Sequence, residues 1–207
     1  MAWAPDYATV DQLRRYLRLP TSGDVGEVGE DTDNDAVYGP AITASSRLID
    51  RACGRQFGSV TATARYYTPR YFPQRGRNVA TVDDFMSVTS LAVKTDLDGD
   101  DVYETTITDF VKLPLNAAAS LRPWTDIELR EAVSRSEGSL EITALWGWTA
   151  VPDTILTATL LQASRISKRR DAPFGVAGSP DLGNELRLLA KLDPDVSMMV
   201  SAYRRYY

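Results

Sequence analysis

The chain has no histidine and a single cysteine, Cys53, in 207 residues. Each absence excludes chemistry. Histidine is the commonest general base near neutral pH and the commonest zinc ligand. Ser-His-Asp and Cys-His catalysis, and every histidine-containing zinc site, are therefore ruled out. One cysteine cannot close an internal disulfide, so the sequence asks for no oxidising compartment. No apolar run approaches a membrane span. The start, Met1 to Tyr7, lacks the basic residues and apolar stretch of a signal peptide. A soluble protein made in a cytoplasm is expected. Phosphate-cradling glycine motifs and carboxylate pairs at informative spacing are also missing. The chain is expected to be no enzyme, with no catalytic residue, no metal and no cofactor.

What is present is ordinary for a globular protein. Hydrophobic residues make up 43% and charged residues 25%, enough apolar mass for a sizeable core. The length suits one domain with a large insertion, or two small ones. The formal net charge is -5, which argues against wrapping nucleic acid, because phosphate binding needs clustered Lys and Arg. It is compatible with lining a passage through which DNA slides without sticking.

Thr9-Val10-Asp11-Gln12 fits a capping box, with Val10, Leu13 and Leu17 on one helical face. Leu19-Pro20 stops that first helix. Residues 19–46 hold no Lys or Arg but carry Asp24, Glu27, Glu30, Asp31, Asp33 and Asp35 among glycines, which reads as an acidic loop. A second helix is expected from about Asp35 to Cys53, closed by Gly54. From about Ser59 to Trp148 the pattern turns to β. Expected strands are Arg65 to Thr68, Ser87 to Thr95, Val102 to Thr108, Asp126 to Arg130 and Leu140 to Trp146. Asp96 to Asp101 supplies an Asp-Gly hairpin connection between two of them. Pro152 and Asp153 open the longest helix, running to about Arg170. A last helix is expected from about Leu182 to Leu192. Asp193-Pro194 ends it and leaves an extended tail.

Four features are candidates for function. The Asp96 to Asp101 cluster lacks the alternating carboxylates, Gly and distant Glu of a calcium loop, and reads as a solvated turn. Arg165, Lys168, Arg169 and Arg170 could contact DNA phosphate or a partner, or could simply complement the dipole at a helix C-terminus. Trp124, Trp146 and Trp148 are core or interface aromatics, and candidate subunit contacts. The tail offers Met198, Met199, Tyr203, Arg204, Arg205, Tyr206 and Tyr207, residue types suited to anchoring on a partner.

Several stretches resemble the head-to-tail connector (adaptor) family of long-tailed double-stranded DNA bacteriophages, of the actinobacteriophage type. They are Tyr7 to Leu13 with Leu17 and Leu19; Ala44 to Phe57; Arg122 to Ile127; and Trp146-Gly147-Trp148 with Val151-Pro152. Ala163-Ser164-Arg165 and Arg169 to Gly175 complete the set. Smaller members of that family are mostly helical, so the β-rich middle of this chain is a departure.

The expected fold is α+β: a small helical bundle from residues 1–58 and 150–192, an inserted β-rich unit at 59–149, and a partner-docking tail at 193–207. The resemblance implies a virion protein at the head–tail junction. It implies a homo-oligomeric ring, a 12-mer, whose partners are the portal protein, the next tail-side connector component and genomic DNA passing through the channel. No membrane partner is expected. The channel-facing surface is expected to be acidic or neutral. The rival readings are a tail terminator or second connector, a DNA-binding packaging factor using Arg165 to Arg170, and a metal-dependent enzyme using the Asp clusters.

Overall fold

The structure is a computed structural model that describes residues 4–19, 32–169, 176–177, 186–187 and 192–205. The chain divides into two compact units. One joins Met1–Phe57 to Val151–Tyr207, and the other is Gly58–Ala150. The class is α+β, a helical bundle carrying an inserted β unit.

In the helical unit, α1 spans Val10–Leu17. Its capping box is formed in full: Gln12 N–H donates to Thr9 Oγ1, and Thr9 N–H donates to Gln12 Oε1. Arg18, at φ 59°, ends it in a left-handed turn. Helix α2 spans Thr32–Cys53, with Pro40 inside it, and Gly54 follows at φ 65°. Helix α3 spans Asp153–Lys168. Leu13, Tyr38, Ala41, Ile42 and Ala163 form the core between these helices.

The face that α3 buries differs from a plain leucine stripe. Ile155, Ala158 and Ala163 are buried together with Thr159, Gln162, Ser164 and Ser167, while Leu156, Leu160 and Leu161 are half-exposed. The hydroxyls are satisfied locally. Thr159 donates to the Ile155 carbonyl, Ser164 to Leu161 and Ser167 to Ser164. On α2, Ser45 and Ser46 donate to the Ala41 and Ile42 carbonyls. Small side chains that bond back to their own helix let α2 and α3 approach closely without orphaned polar groups.

The β unit holds β1 (Thr63–Tyr67), β2 (Arg70–Phe72), β3 (Arg77–Phe85), β4 (Ala92–Thr95), β5 (Thr105–Ile107), β6 (Phe110–Leu113), β7 (Trp124–Leu129) and β8 (Leu140–Ala144). They make two antiparallel sheets, ordered β1-β8-β4-β5 and β2-β3-β7-β6. One core serves both sheets: Ala80, Val82, Phe85, Val93, Ile107, Ile127, Leu129, Leu140, Ile142, Ala144 and Trp146. The hairpin expected around Asp96 to Asp101 is present as β4 paired with β5, in register Thr95↔Thr105 and Val93↔Ile107. Its first strand is shorter than expected, because Leu91 N–H closes a turn on the Val88 carbonyl before Ala92. The longest strand, β3, has no counterpart among the expected strands.

Two expectations about the C-terminal region are corrected. A helix was expected over 182–192, but within it Leu186–Arg187 forms a short strand, β10, paired antiparallel with β9 (Val176–Ala177). The tail is not extended. Pro194–Val200 forms α4, followed by a 3-10 turn over Ser201–Tyr203. Asp193-Pro194 was read as a helix terminator, but it acts as an initiator: Asp193 is the N-cap, its carboxylate accepting from Asp195 N–H, and Pro194 occupies the first turn.

Candidate functional site

The tail packs on its own subunit as far as it is described. Val196 and Val200, one turn apart on α4, are fully buried. Arg205 N–H donates to the Cys53 carbonyl at 2.8 Å, and the Cys53 thiol donates to the Val200 carbonyl at 3.8 Å. The Tyr203 ring stands edge-on to Phe57, which stands edge-on to Tyr7. Among the candidate anchors, Met198 is 74% exposed, Arg204 is exposed, and Met199, Tyr203 and Arg205 are half-buried. Arg204 reaches back to Ser197 Oγ. Tyr206 and Tyr207 lie outside the described residues.

Beneath the tail is a polar knot. Tyr7 Oη donates to the Asp50 carboxylate and accepts from Phe57 N–H at 2.9 Å. Arg47 pairs with Asp50 at 3.0 Å, donates to the Pro5 carbonyl and lies over the Tyr7 ring. Burial, then the Asp50 hydrogen bond, pushes the Tyr7 hydroxyl well above its usual range. Burial also raises the Asp50 carboxyl, against the lowering effects of Tyr7, Arg47 and Gln56. Burial pushes the Cys53 thiol up to about 11, so it stays protonated and unreactive near neutral pH.

The basic cluster is partly spent. Arg165 forms an ion pair with the buried Asp193, and Gln162 Oε1 accepts from Asp193 N–H. Those contacts tie α3 to the start of α4. Lys168 is exposed and Arg169 half-buried, whereas Arg170 lies outside the described residues.

Two of the three tryptophans named as subunit contacts are corrected to core residues of their own β unit. Trp146 is 1% exposed and Trp148 is 4% exposed. Trp146 Nε1 donates to the Thr63 carbonyl and Trp148 Nε1 to Asp84 Oδ2. Between them, Gly147 holds φ 97°, and a Cβ there would fall 2.0 Å from the Gly58 carbonyl oxygen. The Trp-Gly-Trp stretch therefore seals the β unit. Trp124 is half-buried against Phe85, with the Lys112 ammonium over its ring.

The acidic hairpin tip is a turn built on Asp96. Its two carboxylate oxygens accept from Gly99 N–H and Asp101 N–H, which lowers its pKa. Asp98 is raised, chiefly by the charge of Asp100 beside it. One carboxylate oxygen each from Asp96, Asp98 and Asp100 lie within 4.8 Å of one another. The acidic loop expected from Asp24 to Asp35 lies outside the described residues up to Asp31, and from Thr32 the backbone is helical. Among the described residues no helix is long and apolar enough to cross a membrane.

A groove of about 520 Å³ lies in the β unit, lined by Phe72, Arg75, Val79, Leu113, Pro114, Leu115, Asn116 and Asp126. Strand pairing places Arg70, Phe72, Arg77, Val79, Leu113 and Asp126 on the same, outer face of the β2-β3-β7-β6 sheet. The sequence pattern does not announce this surface, because adjacent buried Val79 and Ala80 break the alternation of β3. Its one legible signal is a stretch, residues 66–82, that has three arginines and no Asp or Glu.

No protein family and no curated protein matches the chain by sequence. Its fold does have solved counterparts. One is a chain in the neck of an empty gene transfer agent (GTA) particle computed with C6 symmetry. It is 18% identical, matched over 100% of this chain and 94% of that one, with a TM-score of 0.56. Another is a chain in the virion of a native GTA particle, with the same identity and coverage and a TM-score of 0.44. At this identity the likeness is one of fold, and it spans the helical bundle and the inserted β unit alike.

Proposed function

We propose that this chain is a structural subunit of the neck of a tailed-phage-like particle: a head-to-tail connector that forms a ring between portal and tail and extends the DNA channel. The observation that carries the reading is the fold likeness to a neck chain across 100% of this sequence. A particle neck computed with C6 symmetry can accommodate a ring of twelve, the number favoured here. The function is geometric and needs no chemistry. A net charge of -5 suits a passage that DNA crosses without being held. The partners are other copies of the chain, the portal and the next tail-side component, and the place of action is the virion, assembled in the host cytoplasm. Exposed Met198 and Arg204 on the docked α4 segment are the portal-facing contacts of this reading, without the tail leaving its subunit.

Electron microscopy of purified particles carrying a tagged copy of the chain tests the proposal. The tag should appear at the head–tail junction, and particles made without the chain should be full heads lacking tails. A chain absent from purified particles overturns the reading. The packaging-factor alternative is disfavoured by Arg165, which is committed to Asp193. Filter binding with duplex DNA across a salt series should show no retention, whereas a steep salt-dependent retention would favour that alternative.

A further inference from the structure

The β unit carries two exposed hairpins of opposite character. The β2–β3 hairpin presents Arg70, Arg75 and Arg77, with Phe72 42% exposed, and no acid occurs from residue 66 to 82. The β4–β5 hairpin presents exposed Asp98, Asp100, Asp101 and Glu104, with Leu97 51% and Val102 55% exposed, and no Lys or Arg occurs from residue 95 to 111. Neither sign is neutralised within its own hairpin. The two belong to different sheets: β2 is the edge of one and β5 the edge of the other.

We infer that the groove beside the β2–β3 hairpin receives the β4–β5 hairpin tip of a second copy of this chain. The occupant follows from charge and shape. The groove offers apolar walls from Phe72, Val79, Leu113, Pro114 and Leu115, with Arg75 on its lining and Arg70 and Arg77 on the same sheet face. Its own carboxylates are engaged. Asp126 accepts from Thr81 and Thr125, and Glu128 pairs with Arg75 at 3.3 Å. The incoming tip brings an exposed aliphatic side chain, Leu97, next to carboxylates that repel one another until a cation is near. Burying Leu97 against the apolar walls supplies contact, and Asp98 and Asp100 facing the arginines supply register. Edge strands with unpaired backbone groups on both hairpins add a template for the approach. Because the two patches differ, the contact is heterologous. It passes from copy to copy and closes into a ring when the rotation allows. The inference rests on the ring reading proposed above and names the surfaces that would build it.

Charge reversal tests it on the full chain by sedimentation at low salt in EDTA. One variant carries Asp98→Lys and Asp100→Lys, and the other carries Arg70→Glu and Arg77→Glu, since Arg75 already holds Glu128. Asp96 is kept, because it holds the turn. Circular dichroism and thermal melts of both should match the parent. The parent should self-associate and each variant alone should be monomeric. An equimolar mixture should associate again, since every contact then pairs opposite charges. If both variants associate like the parent, the inference is overturned while a ring through other surfaces stands. A parent that associates only with added divalent cation places the metal, not the arginines, at the tip and overturns it too. A parent monomeric at every concentration counts against the inference and the ring together.

Discussion

At the scale of single residues, the decisive positions are those where chemistry and space leave no alternative. Gly147 is one. Its φ of 97° and the nearby Gly58 carbonyl exclude any side chain. Gly147→Ala should destabilise the β unit by roughly 3 kcal/mol or more, read as a drop in the urea midpoint. Cys53 is another. Its thiol holds a proton to about pH 11 in the folded chain, whereas an exposed thiol releases it near 9. The contribution to stability is therefore complete below pH 9 and is lost as pH rises toward 11. Thiol labelling at pH 8 should run at the rate of local opening, and fast labelling of the native protein would contradict the burial of Cys53. The tryptophans show where reading residues from sequence succeeds and stops. Core and interface both want large amphipathic rings, so sequence alone left Trp146 and Trp148 open to either role. Only the acceptors they reach, through Nε1 to the Thr63 carbonyl and the Asp84 carboxylate, mark them as interior.

Among elements, those with a local signature were legible. The capping box of α1, the glycine after α2, the Pro152-Asp153 start of α3 and the Asp-Gly hairpin are each written in a few adjacent residues. Strand β3 was not. Val79 and Ala80 are adjacent and both buried, one under the outer-face groove and one in the core, so the alternation that announces a strand is broken. Helix α4 was hidden differently: Asp193-Pro194 carries one pattern with two meanings, and the choice depends on whether Val196 and Val200 find a surface to cover. Asp193 is the hinge of that choice, as N-cap and as partner of Arg165. Asp193→Ala should cost about 2 kcal/mol, near 1 from the cap and the rest from the ion pair of a buried carboxylate with a partly exposed Arg165, discounted for screening. Hydrogen exchange should speed up across 194–205, and Cys53 labelling should rise with it. Unchanged exchange there would mean that α4 is held by its valines alone.

For the whole molecule, composition and the absence of histidine pointed away from catalysis, and the switch of periodicity at both ends of the middle third marked a β insertion between helices. The groove was beyond reach, because it depends on register between strands far apart in sequence. One further property follows from the seal described above. Trp148 N–H donates to the Gly58 carbonyl at 2.7 Å, so the chain enters and leaves its β unit at a single point. A segment whose two ends meet is a replaceable cassette. Residues 58–150 expressed alone should give a cooperative thermal transition and a β-type circular dichroism spectrum, and an unfolded fragment would refute this. The parent chain with that segment exchanged for a short Gly-Ser bridge should keep its helical signal. The β segment can then be lengthened, shortened or exchanged at that single junction without rewriting the helices.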